Sequence, residues 1–335
     1  MKNIICALIY LLFFSAQLNG QENTQTLFDY FYFQSETPVI RIDTDLKKLI
    51  RKKYYEEYQP SVISFKLDNG EKMVCKSKLR ARGNMRKKVC LNPPLKLNFK
   101  EKDLEKNGFD SLDILKTVMQ CQHNSPTKKY LAKERLAYDL YAIIDTLAMR
   151  AKSVNFEMYH NGKHEESLGG FLIESEKHYG RRTGTIVVEN GTLRSSVLFR
   201  SHFLKMTFFQ YMIGNPDYAI ANKHNVEILQ LPDKRLVAIP YDFDYSGLVD
   251  TDYAIPHESL PIKSVRDRLY MVKNVTIAEA TATANYFNSM KDEFYAVIHN
   301  AEYMSDEDKK DSSRYIDGFF KVLSSSKRIE REFVK

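Results

Sequence analysis

The sequence predicts an α+β protein with two lobes, the first rich in β-strands and the second mostly helical. Two patterns indicate this. Residues 60–125 contain short alternating apolar segments separated by turn residues, which is typical of antiparallel hairpins. From Lys129 onward the apolar residues recur at the helical period over longer stretches. A chain of 335 residues is long enough for one large two-lobed domain or two small ones, and we favour two lobes of one enzyme-sized unit.

Residues 1–20 are typical of a secretory signal peptide. Lys2 precedes an apolar run from Ile4 to Phe14, and small and polar residues follow it. The run is too short for a membrane anchor, because crossing a bilayer takes about 20 predominantly apolar residues. We therefore expect an exported chain that begins near Gln21, is periplasmic, cell-surface or secreted, and has no transmembrane segment.

The composition is that of a globular protein with an aromatic-rich core. The chain has 21 Tyr, 20 Phe and no Trp, without a low-complexity tract. Its formal charge is +7, from 50 basic and 43 acidic residues that are scattered along the sequence. Because there is no basic block, a nucleic-acid partner is not implied.

Three cysteines remain once the signal peptide leaves with Cys6, so one disulfide is allowed. In an oxidising compartment we expect Cys90 to pair with Cys121. Cys75 lies in the middle of a predicted strand and can pack there as a small hydrophobic residue. A zinc site is less favoured because the three thiols lack a matching CxxC or His spacing.

In the first lobe, expected over residues 21–184, hairpin signals precede and follow one long helix. An Asn-Gly turn at 69–70 joins two predicted strands within 61–82, and another short strand spans 95–99. The helix is expected over 129–150. A second hairpin turns at 161–162, and the polar stretch 176–184 is expected to be a flexible crossover between the lobes.

The second lobe, expected over residues 185–335, opens with a buried helix over 197–213 that ends at Gly214. An apolar hairpin follows, with strands over 226–231 and 236–241. The remainder is expected to be helical, with Ser305 capping the last long helix.

The candidate site lies at the ends of this second-lobe hairpin. A hairpin folds its ends together, so Asp217 before it and Asp242 after it are expected to share one edge. Phosphoryl transfer requires such an arrangement, because it is catalysed mainly by positioning and charge neutralisation. Asp217 is predicted to orient an acceptor hydroxyl, and Asp242 with the amide oxygen of Asn225 to hold a metal ion on the phosphates.

Basic and amide side chains of the first lobe are predicted to contact the nucleotide. Lys96, on the short strand, is the candidate phosphate contact, steadied by Glu134 of the helix. Arg82 and Asn84 are further candidates if they turn inward over the phosphates.

Six motifs, in this order, resemble the spore coat protein H (CotH) kinase family. They are LRARGN at 79–84, PPLKLNF at 93–99, KERLAY at 133–138, GGFLIE at 169–174, GNPD at 214–217 with HN at 224–225, and IPYDFD at 239–244. The resemblance covers about residues 60 to 260. YDFDYSGLV at 241–249 with DYA at 252–254 resembles, more narrowly, exported proteins of Bacteroidetes-type bacteria.

The resemblance implies an atypical protein-kinase-like fold that uses ATP with Mg²⁺ or Mn²⁺. It implies phosphorylation of serine or threonine on an extracytoplasmic protein substrate, whose identity the sequence does not specify. Asp217 matches the family's catalytic aspartate and Asp242 its metal-binding aspartate, with Asp244 sharing the metal. Glu174, which ends the GGFLIE motif, is expected to take part in nucleotide binding.

Two other functions remain open from the sequence. The chain has no glycine-rich phosphate loop, so a non-catalytic cell-surface binding protein with a kinase-like fold is the main alternative. The Asp242-Phe243-Asp244 segment also resembles the DxD metal motif of glycosyltransferases. That alternative predicts alternating parallel strands and helices, whereas residues 60–125 show hairpin signals.

Overall fold

The protein has two buried cores, one inside a β-barrel and one among helices and a small sheet. The computed structural model describes residues 25–122 and 125–334, so the signal peptide expected over 1–20 lies outside them. Within those ranges, no helix is both long enough and apolar enough to cross a membrane.

Seven strands form the barrel. They are β1 (Val39–Thr44), β2 (Gln59–Lys66), β3 (Lys72–Ala81), β4 (Leu95–Asn98), β5 (Ile114–Met119), β6 (Ala151–His160) and β7 (Lys163–Ile173). Their order around the barrel is β1-β2-β3-β4-β5-β7-β6. All neighbours are antiparallel except β1 and β6, which pair in parallel from Val39 opposite Asn155 to Asp43 opposite Tyr159. This parallel pair closes the sheet.

The closed barrel shows that the predicted two-lobed, kinase-like fold is wrong. Hairpins such as β2–β3 and β6–β7 were predicted correctly, because each has an Asn-Gly turn between strands that are neighbours in sequence. The closing pair joins segments more than a hundred residues apart. No local turn signal accompanies a parallel pairing of that kind, since parallel strands need a long connection.

Alternate residues of the strands fill the barrel interior. On β3 the side chains alternate between exposed and buried, and the free Cys75 is one of the buried ones, as predicted. The predicted Cys90–Cys121 disulfide is confirmed, with an S–S distance of 2.14 Å. It ties the segment before β4 to the segment after β5, and it fits an oxidising compartment.

Six helices accompany the barrel strands. They are α1 (Leu27–Phe33), α2 (Leu46–Arg51), α3 (Met85–Val89), α4 (Glu101–Lys106), α5 (Ser125–Ile144) and α6 (Glu176–Thr183). The long helix α5 ends earlier than predicted, because the Asp145 side chain accepts a hydrogen bond from the Leu147 backbone at 2.9 Å and turns the chain. Apolar side chains of α5 belong to the second core, so this helix joins the barrel to the helical part.

The stretch 176–184 is helix α6, and its prediction as a flexible crossover is wrong. Ser175 caps its first turn by accepting a hydrogen bond from the His178 backbone, and Gly184 ends it in the left-handed conformation. Ser175 and Gly184 are local signals for the two ends of a helix. The polar composition of the stretch led instead to the prediction of a flexible segment.

The second core lies between a three-stranded sheet and five helices. The strands are β8 (Ile186–Val187), β9 (Val226–Gln230) and β10 (Leu236–Pro240), and the helices are α7 (Arg200–Ile213), α8 (Ile277–Ser289), α9 (Lys291–His299), α10 (Asp306–Leu323) and α11 (Ser326–Phe333). The predicted buried helix, its end at Gly214, the β9–β10 hairpin and the Ser305 cap are all confirmed. Helix α7 is buried on most sides because it packs against both α8 and β10.

Candidate functional site

A cleft of about 400 Å³ lies between the end of β3 and the two ends of the β9–β10 hairpin. We call it the central cleft. Six of the predicted site residues line it: Arg82, Asn84, Asp217, Asn225, Asp242 and Asp244. The hairpin brings together the last four, as expected from its topology. The first two come from the loop after β3, more than 130 residues earlier in the chain.

Asp217 is held by two neighbouring side chains. His224 Nε2 lies 3.0 Å from its Oδ1, and Asn225 Nδ2 donates to its Oδ2 at 3.0 Å and to its backbone carbonyl at 2.8 Å. Because the Asn225 amide nitrogen is used in this way, its Oδ1 is left for another donor or a cation. The Asp217 carboxylate is partly exposed, so an incoming hydroxyl group can reach it.

Asp242 adopts a left-handed backbone conformation at the floor of the cleft, with φ of 59°. Its backbone N–H donates to the Tyr138 hydroxyl oxygen at 3.0 Å. Its carboxylate accepts no hydrogen bond from the part of the chain that the structure describes. Burial and the nearby charge of Asp244 raise the pKa of Asp242 to about 6, although Arg86 and Arg82 oppose the shift.

Asn225 and Lys223, also in the central cleft, share this left-handed conformation with φ of 53° and 56°. The conformation is strained for a residue with a side chain such as that of lysine, and strain of this kind clusters at functional sites.

Behind Asp242, a buried arginine links two carboxylates. Arg86 Nη2 donates to Glu134, and Arg86 Nε donates to Asp244 Oδ2 at 3.1 Å. The Tyr253 hydroxyl lies 3.2 Å from Arg86 Nε and donates to the same Asp244 oxygen at 2.8 Å. Arg86 and Tyr253 therefore engage Oδ2 of Asp244. Of the two acids in the Asp-Phe-Asp segment, only Asp242 has neither carboxylate oxygen hydrogen-bonded to the described residues.

This group of side chains contains more negative than positive charge. Glu134 is completely buried, and its Oε1 has no hydrogen-bond partner among the described residues. Burial raises the pKa of Glu134 above its ordinary value, and the charges of Asp244 and Asp242 add to this, while Arg86 opposes it. When Glu134, Asp242 and Asp244 are all ionised, Arg86 and Arg82 leave one negative charge, which a cation close to Asp242 would balance.

Lys96 lines a second cavity, of about 430 Å³, which we call the adjoining cavity. Lys223 lines both spaces, so the two are neighbours. The predicted pairing of Lys96 with Glu134 is not found, because Arg86 occupies Glu134 and Lys96 lies on a half-buried position of β4. In the adjoining cavity burial raises the pKa of Glu227 to about 7, and the charge of Glu176 adds to this.

Glu174 lies in neither space. It is buried, accepts hydrogen bonds from Arg182 at 2.6 and 2.8 Å, and accepts one from the Arg150 backbone at 2.8 Å. His178 Nδ1 lies 2.8 Å from it. These partners lower its pKa although burial opposes them. In this structure Glu174 holds together the ends of β7 and α6.

Three residues of this region were missed from the sequence: Arg86, Lys223 and Tyr253. Arg86 belongs to a run of three basic residues, of which only it is buried. Nothing local separates it from Lys87 and Lys88, because its burial depends on Glu134 and Asp244 from distant elements.

The donor set suits a divalent cation only in part. Asp242 and the Oδ1 of Asn225 supply oxygen ligands, the type that Mg²⁺ prefers. No group of three or more His, Cys, Asp or Glu side chains arranged to hold a metal ion is found within 25–122 and 125–334. Mg²⁺ commonly binds through one or two carboxylates together with substrate phosphates. The residues therefore fit a cation that arrives with a phosphorylated ligand.

The ionised carboxylate of Asp242 should destabilise the protein when no ligand is bound. Folding raises the pKa of Asp242 from 3.8 to about 6, so stability falls as the pH rises through this window. We expect Asp242→Asn to be more stable than wild type by about 3 kcal/mol at pH 8, and close to it below a pH of about 4. Urea unfolding at both pH values measures this. Asp233→Asn, an exposed acid in the β9–β10 turn, should show no gain. A less stable Asp242→Asn at pH 8 would contradict the prediction.

Neither a scan against protein-family models nor a search of curated proteins finds a match for this chain. The chemistry of the central cleft is therefore inferred from its own side chains. These combine a held carboxylate, a free carboxylate, an amide oxygen and two arginines around one space.

Proposed function

We propose that the protein is an exported phosphotransferase that uses ATP with Mg²⁺ or Mn²⁺ and acts on serine or threonine hydroxyls of an extracytoplasmic protein. The observation that supports this most is the assembly of six sequence-predicted residues around one cleft. The motifs shared with the CotH family support the choice of ATP. The disulfide supports an oxidising compartment.

In this proposal the phosphates occupy the central cleft. Arg82 and Asn84 line this cleft together with the acidic side chains, and the charge of Arg82 acts to lower the pKa of Asp242. Arginine and amide donors are suited to phosphate oxygens. Asp242 and the Oδ1 of Asn225 would hold the cation, which would neutralise part of the phosphate charge.

The nucleoside occupies the adjoining cavity. That space is lined by apolar side chains that include Val187, Val188 and Val226, and by charged ones that include Lys96 and Glu227. Pockets of a few hundred Å³ with mixed lining are typical of small-ligand sites. Lys223 lies where the two spaces meet, so it is placed to contact the ligand between its base and its phosphates.

Asp217 orients the acceptor hydroxyl and accepts its proton. Its two hydrogen-bonded neighbours fix the carboxylate without burying it. A positioned base of this kind typically contributes about 10²–10⁴-fold to a rate. Asp242, which lies deeper, is left for the cation.

A second candidate is a binding protein without catalysis. It is favoured by the engagement of Asp244, because hydrogen bonds from Arg86 and Tyr253 already occupy Oδ2 of this expected metal ligand. The same engagement disfavours a DxD glycosyltransferase, in which both acids take part in binding the metal. These alternatives differ in the ligand that stabilises the protein and in whether a group is transferred.

Thermal unfolding with ligand tests the proposal. ATP with Mg²⁺ or Mn²⁺ should raise the melting temperature of the wild-type protein, because a ligand stabilises the state it binds. Asp242→Ala should abolish the shift. Asp233→Ala, which changes an exposed acid in the turn at the other end of the β9–β10 hairpin, should keep it.

ATP labelled on the α or the γ phosphate then separates the outcomes. Transfer of the γ label to protein supports phosphorylation, and transfer of the α label indicates adenylylation. A shift without transfer favours the binding protein. A shift with nucleotide sugars alone, or none with any nucleotide, would reject the phosphotransferase.

A further inference from the structure

A third space, an apolar cavity of about 330 Å³, lies at one end of the barrel. We call it the barrel-end cavity. Its deepest residues are buried strand side chains from four strands: Leu95, Met119, Met158 and Leu168. Helix α2 forms one side with Leu46, Leu49 and Ile50, and the segment before β4 forms the other with Leu91 and Pro93.

The segment that forms one side of this cavity, residues 90–93, is firmly fixed. Cys90 is bonded to Cys121, and the Asn92 backbone donates to the Cys121 carbonyl at 3.2 Å. Lys53 Nζ donates to the Cys90 carbonyl at 3.0 Å, and Asn92 Nδ2 donates to Glu166 at 3.2 Å. These bonds come from three different parts of the barrel. They hold the segment in place, so the cavity does not depend on a ligand to keep it open.

The barrel-end cavity is separate from the central cleft. Neighbouring residues of the same wall line the two spaces: Pro93 and Met119 face the barrel end, whereas Pro94 and Val118 face the cleft. This alternation is that of an extended chain, whose successive side chains point to opposite faces. One thickness of the barrel wall therefore lies between them.

The lining of the cavity identifies the kind of ligand. Its depth is apolar. Of its ionisable residues, Lys47 and Glu165 are exposed, whereas His160 and Glu166 are half-buried. Neither Lys47 nor Glu165 forms an ion pair with the described residues. The volume corresponds to about eleven water-sized groups, which is more than one leucine or phenylalanine side chain fills. The two methionines can adapt to a flexible chain.

We propose that the barrel-end cavity binds the hydrocarbon chain of an amphiphile, with a length of about eight to ten carbons. The polar head stays at the entrance, beside Lys47 and Glu165. Because the entrance carries both signs of charge, chain length decides affinity and head charge has little effect. Mouths of barrels are common sites for such ligands.

Displacement of the fluorescent probe 1-anilinonaphthalene-8-sulfonate by n-alkanoates from hexanoate to dodecanoate, below their micelle concentrations, tests the proposal. Affinity should rise about fourfold for each added methylene up to decanoate and then level off. Decylamine should bind within a few-fold of decanoate. An affinity that does not depend on chain length would overturn the proposal.

Two variants of similar exposure locate the site. Leu91, 59% exposed at the entrance, and Val74, 60% exposed on the outside of β3, can both be changed to Asp without disturbing a core. Leu91→Asp should weaken decanoate binding about tenfold, and Val74→Asp should leave it unchanged. Equal effects of the two variants would refute the assignment.

The disulfide and the central cleft provide independent checks. The double variant Cys90→Ser with Cys121→Ser should weaken decanoate binding, because the segment 90–93 loses a constraint. Asp242→Ala should leave it unchanged, so failure here is distinguishable from failure of the phosphotransferase proposal. If sedimentation shows a dimer that Leu91→Asp dissociates, and alkanoates do not bind, the occupant is a second copy of the chain and the proposal is wrong.

Discussion

Replacing Asp217 by Asn should lower phosphate transfer by about 10²–10⁴-fold while retaining most of the thermal shift given by ATP and the cation. Asparagine keeps the size and can keep one of the contacts with His224 and Asn225, but it cannot accept the proton of the acceptor. Asp217 therefore affects the chemical step rather than ligand binding.

The measurements are label transfer from γ-labelled ATP and the melting temperature with ATP and Mg²⁺ or Mn²⁺. His224→Ala is the matched control, because it removes a hydrogen-bond partner of Asp217 and leaves the carboxylate in place. It should lose less activity than Asp217→Asn. If Asp217→Asn and Asp242→Ala lose the thermal shift equally, the roles assigned to the two aspartates are wrong.

Replacing Arg86 by Met should have the largest effect on stability, about 3–5 kcal/mol, because it leaves two buried carboxylates without their cation. Arg86 is buried and contacts both Glu134 and Asp244. The loss should grow as the pH rises, since the buried Glu134 carboxylate must then ionise without the guanidinium that lowers its pKa. Chemical unfolding at several pH values measures it.

A second substitution separates charge from packing. Adding Glu134→Gln to Arg86→Met should recover a large part of the lost stability, because one of the uncompensated charges is removed. Arg235→Met, which removes an exposed ion pair with Asp233, is the control and should leave the unfolding midpoint close to wild type. An Arg86→Met protein as stable as wild type would show that the buried network is not needed for folding.

The candidate site was predictable where the chain folds back locally. Asp217, Asn225 and Asp242 lie at the two ends of one apolar hairpin, so their proximity followed from its turn and its two strands. The partner of Glu134 was not predictable. Lys96 and Arg86 are both basic residues close to the same strand, and only the packing of α5 against the barrel shows that Arg86 reaches the carboxylate.

The disulfide could be predicted in part from the sequence. Three cysteines outside the signal region allowed one pair, and the position of Cys75 within a predicted strand favoured Cys90 with Cys121. The inference succeeded because a side chain that points into a barrel core is not available to the other two cysteines.

By itself the sequence determined the hairpins, the helix caps at Gly214 and Ser305, and the residues gathered at the β9–β10 hairpin. Each of these depends on turn chemistry, backbone conformation or periodicity within a few residues. The tertiary structure alone decided that β1 pairs in parallel with β6 and closes a barrel. It also decided that Arg86 is the cation between Glu134 and Asp244. The β1–β6 pairing and the contact of Arg86 with Asp244 each join segments more than a hundred residues apart, and Glu134 lies 48 residues from Arg86. No local pattern identifies partners at such separations.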